Sequence, residues 1–366
     1  MQLDGAHLTY CTNIHPGESW AEVRANLERH VVAVKARVAP SQPFGVGLRL
    51  SARAAAELAR EVGELRRWLA DAGLYVFTIN GFPHGTFHGT AVKEAVYRPD
   101  WREPARVAYT NQLAELLAAL LPDGITGSIS TVPGCFRARG AADAEIASNL
   151  ARCTDHLAAL EVRTGKHITL ALEPEPACAI ETLAEAAAFF VDHDPDRRYL
   201  GVCLDACHAA VEFEQLDDAL AALAAARVPI AKVQLSAGLQ VAPVDEPARA
   251  ALARYAEDVY LHQVVARRGA ELVRYVDLPD ALADRAPADE WRVHFHVPIF
   301  RAELGAFAST QAFLAELLAR HARAALAPHL EVETYTWDVL PPELRDQPIA
   351  DAIARELAWV RECLAR

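Results

Sequence analysis

The chain has 366 residues, 52% hydrophobic and 23% charged, an ordinary globular composition with enough apolar length for a large core. A net charge of -13 without any Lys/Arg block argues against a nucleic-acid partner. No uncharged apolar stretch would span a bilayer, the start lacks a basic-then-apolar leader, and the seven cysteines are scattered without CxxC pairs. The expectation is a cytoplasmic protein with reduced thiols and no membrane insertion.

Short apolar runs alternate with longer amphipathic segments. The pattern predicts strands at 7–14, 44–51, 74–81, 127–133, 167–175, 199–206, 230–238 and 330–337. Helices are predicted between them: 19–38, a stretch ending near residue 70, 105–121, 141–163, 181–192, 215–226 and 309–325, with a last one at 347–364. Ser19 followed by Glu22 reads as a capping box. Eight strand–helix units imply a parallel sheet, and their number implies closure. The fold class expected is α/β, a (β/α)8 TIM barrel with an insertion between units seven and eight, forming one domain over 1–366. A doubly wound open sheet is the alternative, and the lack of GxGxxG after the first strand weakens it. The insertion, 239–300, is expected to be helical over 245–268 and extended over 271–278 and 291–300. Its expected role is a lid or extra β-strands.

Carboxylates punctuate the strand ends. Glu173 closes ITLALEPEP, Asp205 closes YLGVCLDACH and Glu333 closes LEVETYTW. In a parallel barrel these ends share one rim. Three carboxylates meeting there would repel one another unless a cation lay between them, so a divalent-metal site is the leading expectation. Asp205 and His208, three apart, suit zinc, manganese or cobalt better than calcium. Gln234 in KVQLS offers an amide oxygen to a metal or a sugar hydroxyl. His294 and His296 in VHFHV alternate onto one strand face, and Glu175 shares the parity of Glu173. His15, Arg49, Asn80, His84, His88 and Thr131 lie at or just past the ends of strands one to four and are candidates for lining the same mouth. Lys93, Tyr97 and Arg98 follow in a polar loop suited to an anionic group.

The set LEPEP, LDACH, VQLS and EVETY resembles the xylose-isomerase-like barrel superfamily of sugar and sugar-phosphate isomerases and epimerases. Its pattern is a Glu ending strand five, Asp-x-x-His after strand six, His or Gln on strand seven and a Glu ending strand eight. More narrowly, YCTNIHPGESW, FTINGFPHG, VKEAVYRPDWR, SISTVPG and LEPEP look like the metabolite-traffic branch of the Ebo gene clusters. The resemblance implies a divalent metal (Zn, Mn, Co or Mg) held by Glu173, Asp205, His208, Gln234, His296 and Glu333. It implies Glu173 and Glu333 as the catalytic acid–base pair, and a small sugar-like substrate held by His15, Arg49, Asn80, His84, Glu175, His208 and His294. It also implies a possible homo-oligomer. The function expected is isomerase or epimerase. A binding barrel without turnover and a metal-dependent hydrolase or lyase are the alternatives. The histidines of a trinuclear nuclease site have no clear match at strands three and four.

Overall fold

Segments of four to seven residues form eight parallel strands, β1 (Ala6–Tyr10), β2 (Phe44–Arg49), β3 (Leu74–Asn80), β4 (Gly127–Thr131), β5 (Ile168–Leu172), β6 (Leu200–Asp205), β7 (Ile230–Leu235) and β8 (His329–Val332). Nearly every strand residue is buried, as expected of a parallel sheet covered by helices. From β2 onward each strand pairs with the next, and β8 pairs with β1. An isolated parallel bridge between Cys11 and Gly47 joins the β1 edge to β2 and nearly closes the TIM-barrel ring. Gln2–Leu3 adds a short antiparallel strand outside β1. The computed structural model describes residues 1–3, 5–137, 143–193 and 195–365.

The strands stop earlier than their hydrophobic patterns suggest. The TNI following β1 and the YTWDV following β8 turn into 3-10 helix, which lifts Asn13 and Tyr335 over the rim. The capping box of Ser19 and Glu22 is present and opens the first helix, whose middle turn, Leu27–Val31, is π. The expected helix after strand two is two helices, Ala52–Leu58 and Val62–Asp71. The helix expected over 215–226 is Leu216–Ala225, and a short additional helix, Ala206–Val211, precedes it directly after β6. The helix expected from 141 runs from Asp143 to Thr164, and residues 141 and 142 lie outside the described residues.

Between β7 and the helix Gln311–Arg323 the chain builds a second, antiparallel sheet of five strands. Their order is 271–275, 264–268, 290–293, 239–241, 308–309. The helix expected over 245–268 is confined to Glu246–Leu252, capped by Asp245. Val264–Arg268 is instead a strand paired on both sides. Gly269 at φ +62° supplies the backbone conformation of a two-residue hairpin turn into Glu271–Tyr275. Tertiary pairing thus overrides the helical reading of RYAEDVYLHQVV. Pairing of the third strand ends at Val293, so His294 and His296 lie on the extended segment leaving the sheet. That segment is anchored by the His294 N–H to Gln263 O and the Val297 N–H to Ala237 O.

Candidate active site

Side chains at the ends of β5, β6 and β8 meet over the barrel mouth. Glu173, Asp205 and Glu333 are buried, and one carboxylate oxygen of each lies within 4.8 Å of the others. Asp205, His208 and His296 form a second such group. Asp205 divides its work between its oxygens. Oδ1 caps the helix Ala206–Val211 by accepting from the His208 N–H at 2.9 Å and from Ser236 Oγ at 2.7 Å. Oδ2 has no hydrogen-bond partner, and neither does Glu173 Oε2, His296 Nε2 or the Gln234 side-chain amide, all buried. Buried polar atoms left alone are costly. Gln234 stands beside Asp205 in the strand register, yet its amide bonds to nothing.

The tautomer of His296 follows from its surroundings. Nδ1 faces the Glu333 carbonyl oxygen at 2.9 Å and so donates to it, leaving the lone pair on Nε2. Burial holds this imidazole down to about 4, so it is neutral at ordinary pH. Burial, together with the neighbouring Glu333 and Asp205 charges, pushes Glu173 well above the usual carboxylate range. Burial, Asp205 and Glu331 push Glu333 up to about 8, partly offset by Lys232 and by the Asn13 amide. Asn13 and Asn80 both donate to Glu333 Oε1, at 2.7 and 2.9 Å. Oxygen and imidazole donors that are buried, unpartnered and mutually repelling fit a divalent cation. Beneath them, Lys232 and Glu331 form a fully buried ion pair at 2.5 Å.

Beside this cluster, Glu175, His208 and His294 again bring ligand-type atoms within 4.8 Å. His208 Nδ1 meets the Pro174 carbonyl oxygen and His294 Nδ1 meets Gln263 Oε1, so both rings donate from Nδ1. Their Nε2 atoms face each other at 3.1 Å; the Tyr335 hydroxyl, 3.4 Å from that of His294, is a long contact, so the two acceptors still need a shared proton or a closer donor. Tyr97 donates to Glu175 at 2.7 Å, and Gln263 donates to Tyr97 and to the Pro176 carbonyl. A cavity of about 60 Å³, open at its mouth, connects the two groups. Asn13, Asn80, Glu173, Glu175, His208, His294 and Glu333 form its floor.

Other residues expected at the mouth lie elsewhere. His15 stacks on His30 and meets the Tyr10 hydroxyl. Arg49 is tied to Glu18 and to the Gly17 and Gly85 carbonyls. His84 packs edge-on against Tyr109. None of the three lines the cavity. Arg49 is a loop fastener because the segments on either side present carbonyls that its fork can reach. His88 bonds the Asn13 carbonyl and the Tyr260 hydroxyl. Thr131 is buried with its hydroxyl unpartnered, and the exposed Arg98 stands near Glu103. Asn13, Gln263, Tyr260 and Leu261 also belong to this region, outside the strand-end pattern. Asn13 carries a sequence signal in its place just past β1. The other three come from the insertion, where no strand-end logic applies.

The family model described as Xylose isomerase-like TIM barrel matches residues 41–305. No curated protein sequence matches the chain. Among solved structures, an L-ribulose 3-epimerase aligns over 98% of this chain and 95% of its own at 15% identity, TM-score 0.54. The D-allulose 3-epimerase of Methylomonas sp., solved with D-allulose, aligns over 98% and 96% at 13% identity, TM-score 0.52. A xylose isomerase-like TIM barrel protein of Mycobacterium smegmatis, solved with magnesium, aligns over 99% and 98% at 12% identity, TM-score 0.54. At these identities the likeness carries the fold. With the family model covering more than half of its length, the chain belongs to the xylose isomerase-like TIM barrel family.

Proposed function

We propose that this protein is a divalent-metal-dependent isomerase or epimerase of a small polyhydroxylated carbonyl compound. The observation that carries the reading is the convergence of Glu173, Asp205 and Glu333 with unpartnered, buried Glu173 Oε2, Asp205 Oδ2 and His296 Nε2. Glu173, Asp205, His296 and Glu333 would hold the ion, with Gln234 Oε1 as a further oxygen donor. When bound, such an ion polarises a substrate carbonyl and offsets the charge that develops on its oxygen.

The chain's own groups do the rest. Glu333 is oriented by two amides on Oε1, whereas Glu173 is held by no amide; with its buried Oε2 turned to the ion, its other oxygen would take a proton from carbon. Glu333 is near enough to return the proton on the opposite side, which inverts a centre. Glu175, His208 and His294 face the cavity beside them and bind substrate hydroxyls. A donor hydroxyl placed against the His208 and His294 Nε2 atoms would resolve their opposed lone pairs. Asn80 orients Glu333 and lines the same floor. The resemblance to the Ebo metabolite-traffic branch supports a substrate drawn from secondary metabolism.

The test is proton exchange at a substrate carbon in deuterated water with the manganese-loaded protein. Exchange that disappears in Glu173→Gln and Glu333→Gln supports the reading. Phosphate or water-derived products without exchange would move it to the hydrolases or lyases. Ligand binding without any exchange would make the barrel a carrier.

A further inference from the structure

The cavity over the carboxylate floor has a second, chemically distinct half. Phe82, Phe87, Val92, Val96, Tyr260 and Leu261 form its wall. These residues come from two places, the loop after β3 and the inserted segment before residue 264. The two are stitched together where the Val92 and Lys93 N–H groups both donate to the Val259 carbonyl, at 2.7 and 3.0 Å. The rings of Phe87, Tyr260 and Tyr335 pack with centroids 5.1 to 5.3 Å apart. The hydroxyls of this half are already engaged. Tyr260 bonds His88 Nδ1 at 2.7 Å, Tyr97 bonds Glu175, and Tyr335 turns its hydroxyl to His294 Nε2 at 3.4 Å. The wall therefore presents carbon.

Charge sharpens the point. Among the described residues lining the cavity, Lys93 is the one cation, and its Nζ is committed to Asp277 Oδ2 at 2.8 Å and to the Glu257 carbonyl at 3.0 Å. Nearby Arg49 is spent on Glu18 and two backbone carbonyls. A phosphate or carboxylate would meet Glu173, Glu175 and Glu333 with no free guanidinium or ammonium to receive it. A free sugar would satisfy the floor and leave the aromatic and aliphatic wall facing water. An apolar group there is favourable in proportion to the carbon surface covered.

Resting on the polyol reading of the floor, we propose that the natural substrate is an uncharged polyhydroxylated carbonyl compound carrying an alkyl or aryl substituent. The hydroxyl-bearing part lies on the strand ends and the substituent lies against Phe87, Tyr260 and Leu261.

The experiment uses the full chain loaded with manganese and a panel of ketohexoses, each supplied free, as a terminal O-octyl or O-benzyl ether, and as a terminal phosphate ester. Binding is read by calorimetry and turnover by deuterium exchange. The ethers are expected to bind at least tenfold more tightly than their parents, and the phosphate esters more weakly than either. Leu261→Asn and, independently, Phe87→Ser should bring the ether-to-parent affinity ratio toward one. Ether binding without exchange refutes catalysis and leaves this inference standing. Exchange with no preference for the ethers refutes this inference and leaves catalysis standing. Preference for the phosphate esters, or no binding by any member of the panel, overturns it.

Discussion

His296 donates from Nδ1 to the backbone carbonyl of Glu333 at 2.9 Å, so a residue of the inserted segment and a residue ending β8 are set as one unit. Thr336 Oγ1 completes the link by donating to the His296 carbonyl. The insertion thereby delivers an imidazole that the barrel strands do not supply. His296→Ala is expected to weaken divalent-metal binding by more than the roughly 10–100-fold typical of an outer-shell loss, with the far-UV spectrum unchanged. Competition against a fluorescent chelator measures it. Unaltered affinity would remove His296 from the site.

The two oxygens of Asp205 can be separated by mutation. Asp205→Asn keeps an acceptor for the His208 N–H and Ser236 Oγ but removes the negative charge. Metal binding should be lost with stability in chelator nearly intact. Asp205→Ala should lose metal and, in addition, about 1 kcal/mol of stability from the missing helix cap. Urea unfolding of both variants in chelator reads the difference.

Lys232 and Glu331 are both fully buried, 2.5 Å apart, below the carboxylates. Removing one partner strands the other charge in the barrel interior. Lys232→Met should therefore cost about 3–5 kcal/mol. Lys232→Met with Glu331→Gln should recover much of that loss. A Cβ on Gly47 would run into Glu331 Oε1, so Gly47→Ala is expected to disturb the same layer. Equal stability of the single and double variants would show the pair to be uncoupled.

Stability without metal should fall as pH rises from about 6.5 to about 8. Burial lifts Glu173, lifts Glu333 to about 8, and lifts Glu212, Glu214 and Glu356 to about 7. A carboxyl raised on folding holds its proton more tightly in the native state, so its contribution is largest at low pH and is lost through the folded value. His296, lowered to about 4, acts in the opposite sense, but below about 6.5, where unfolded imidazole protonates. The buried Met1 amine, lowered to about 5, also opposes, as one group against five. Metal should reverse the trend at Glu173 and Glu333, because the ion displaces their protons. The stabilisation by manganese, measured by urea unfolding with and without chelator, should grow over this pH window.

The barrel was legible because strand and helix periods alternate without interruption as far as Leu235. Glu173, Asp205 and Glu333 each close an apolar strand run, and strand ends of a parallel barrel share one rim. The loops were less legible. Arg49 and His15 sit at strand ends as the site residues do. What diverts them is a partner distant in sequence, the Gly85 carbonyl for one and His30 for the other. The strand Val264–Arg268 was hidden because its pattern is set by neighbours on both sides, which a local reading does not contain. The apolar wall was hidden for the same reason, since Leu261 and Phe82 meet only after the insertion folds back over the mouth.

The most direct measurement is anomalous diffraction from crystals grown with manganese or zinc. The account predicts one strong peak bounded by Glu173, Asp205, His296 and Glu333, with ligand distances of about 2.0–2.2 Å. A metal-soaked crystal with no peak among these four side chains, or with its peak elsewhere on the chain, would contradict it.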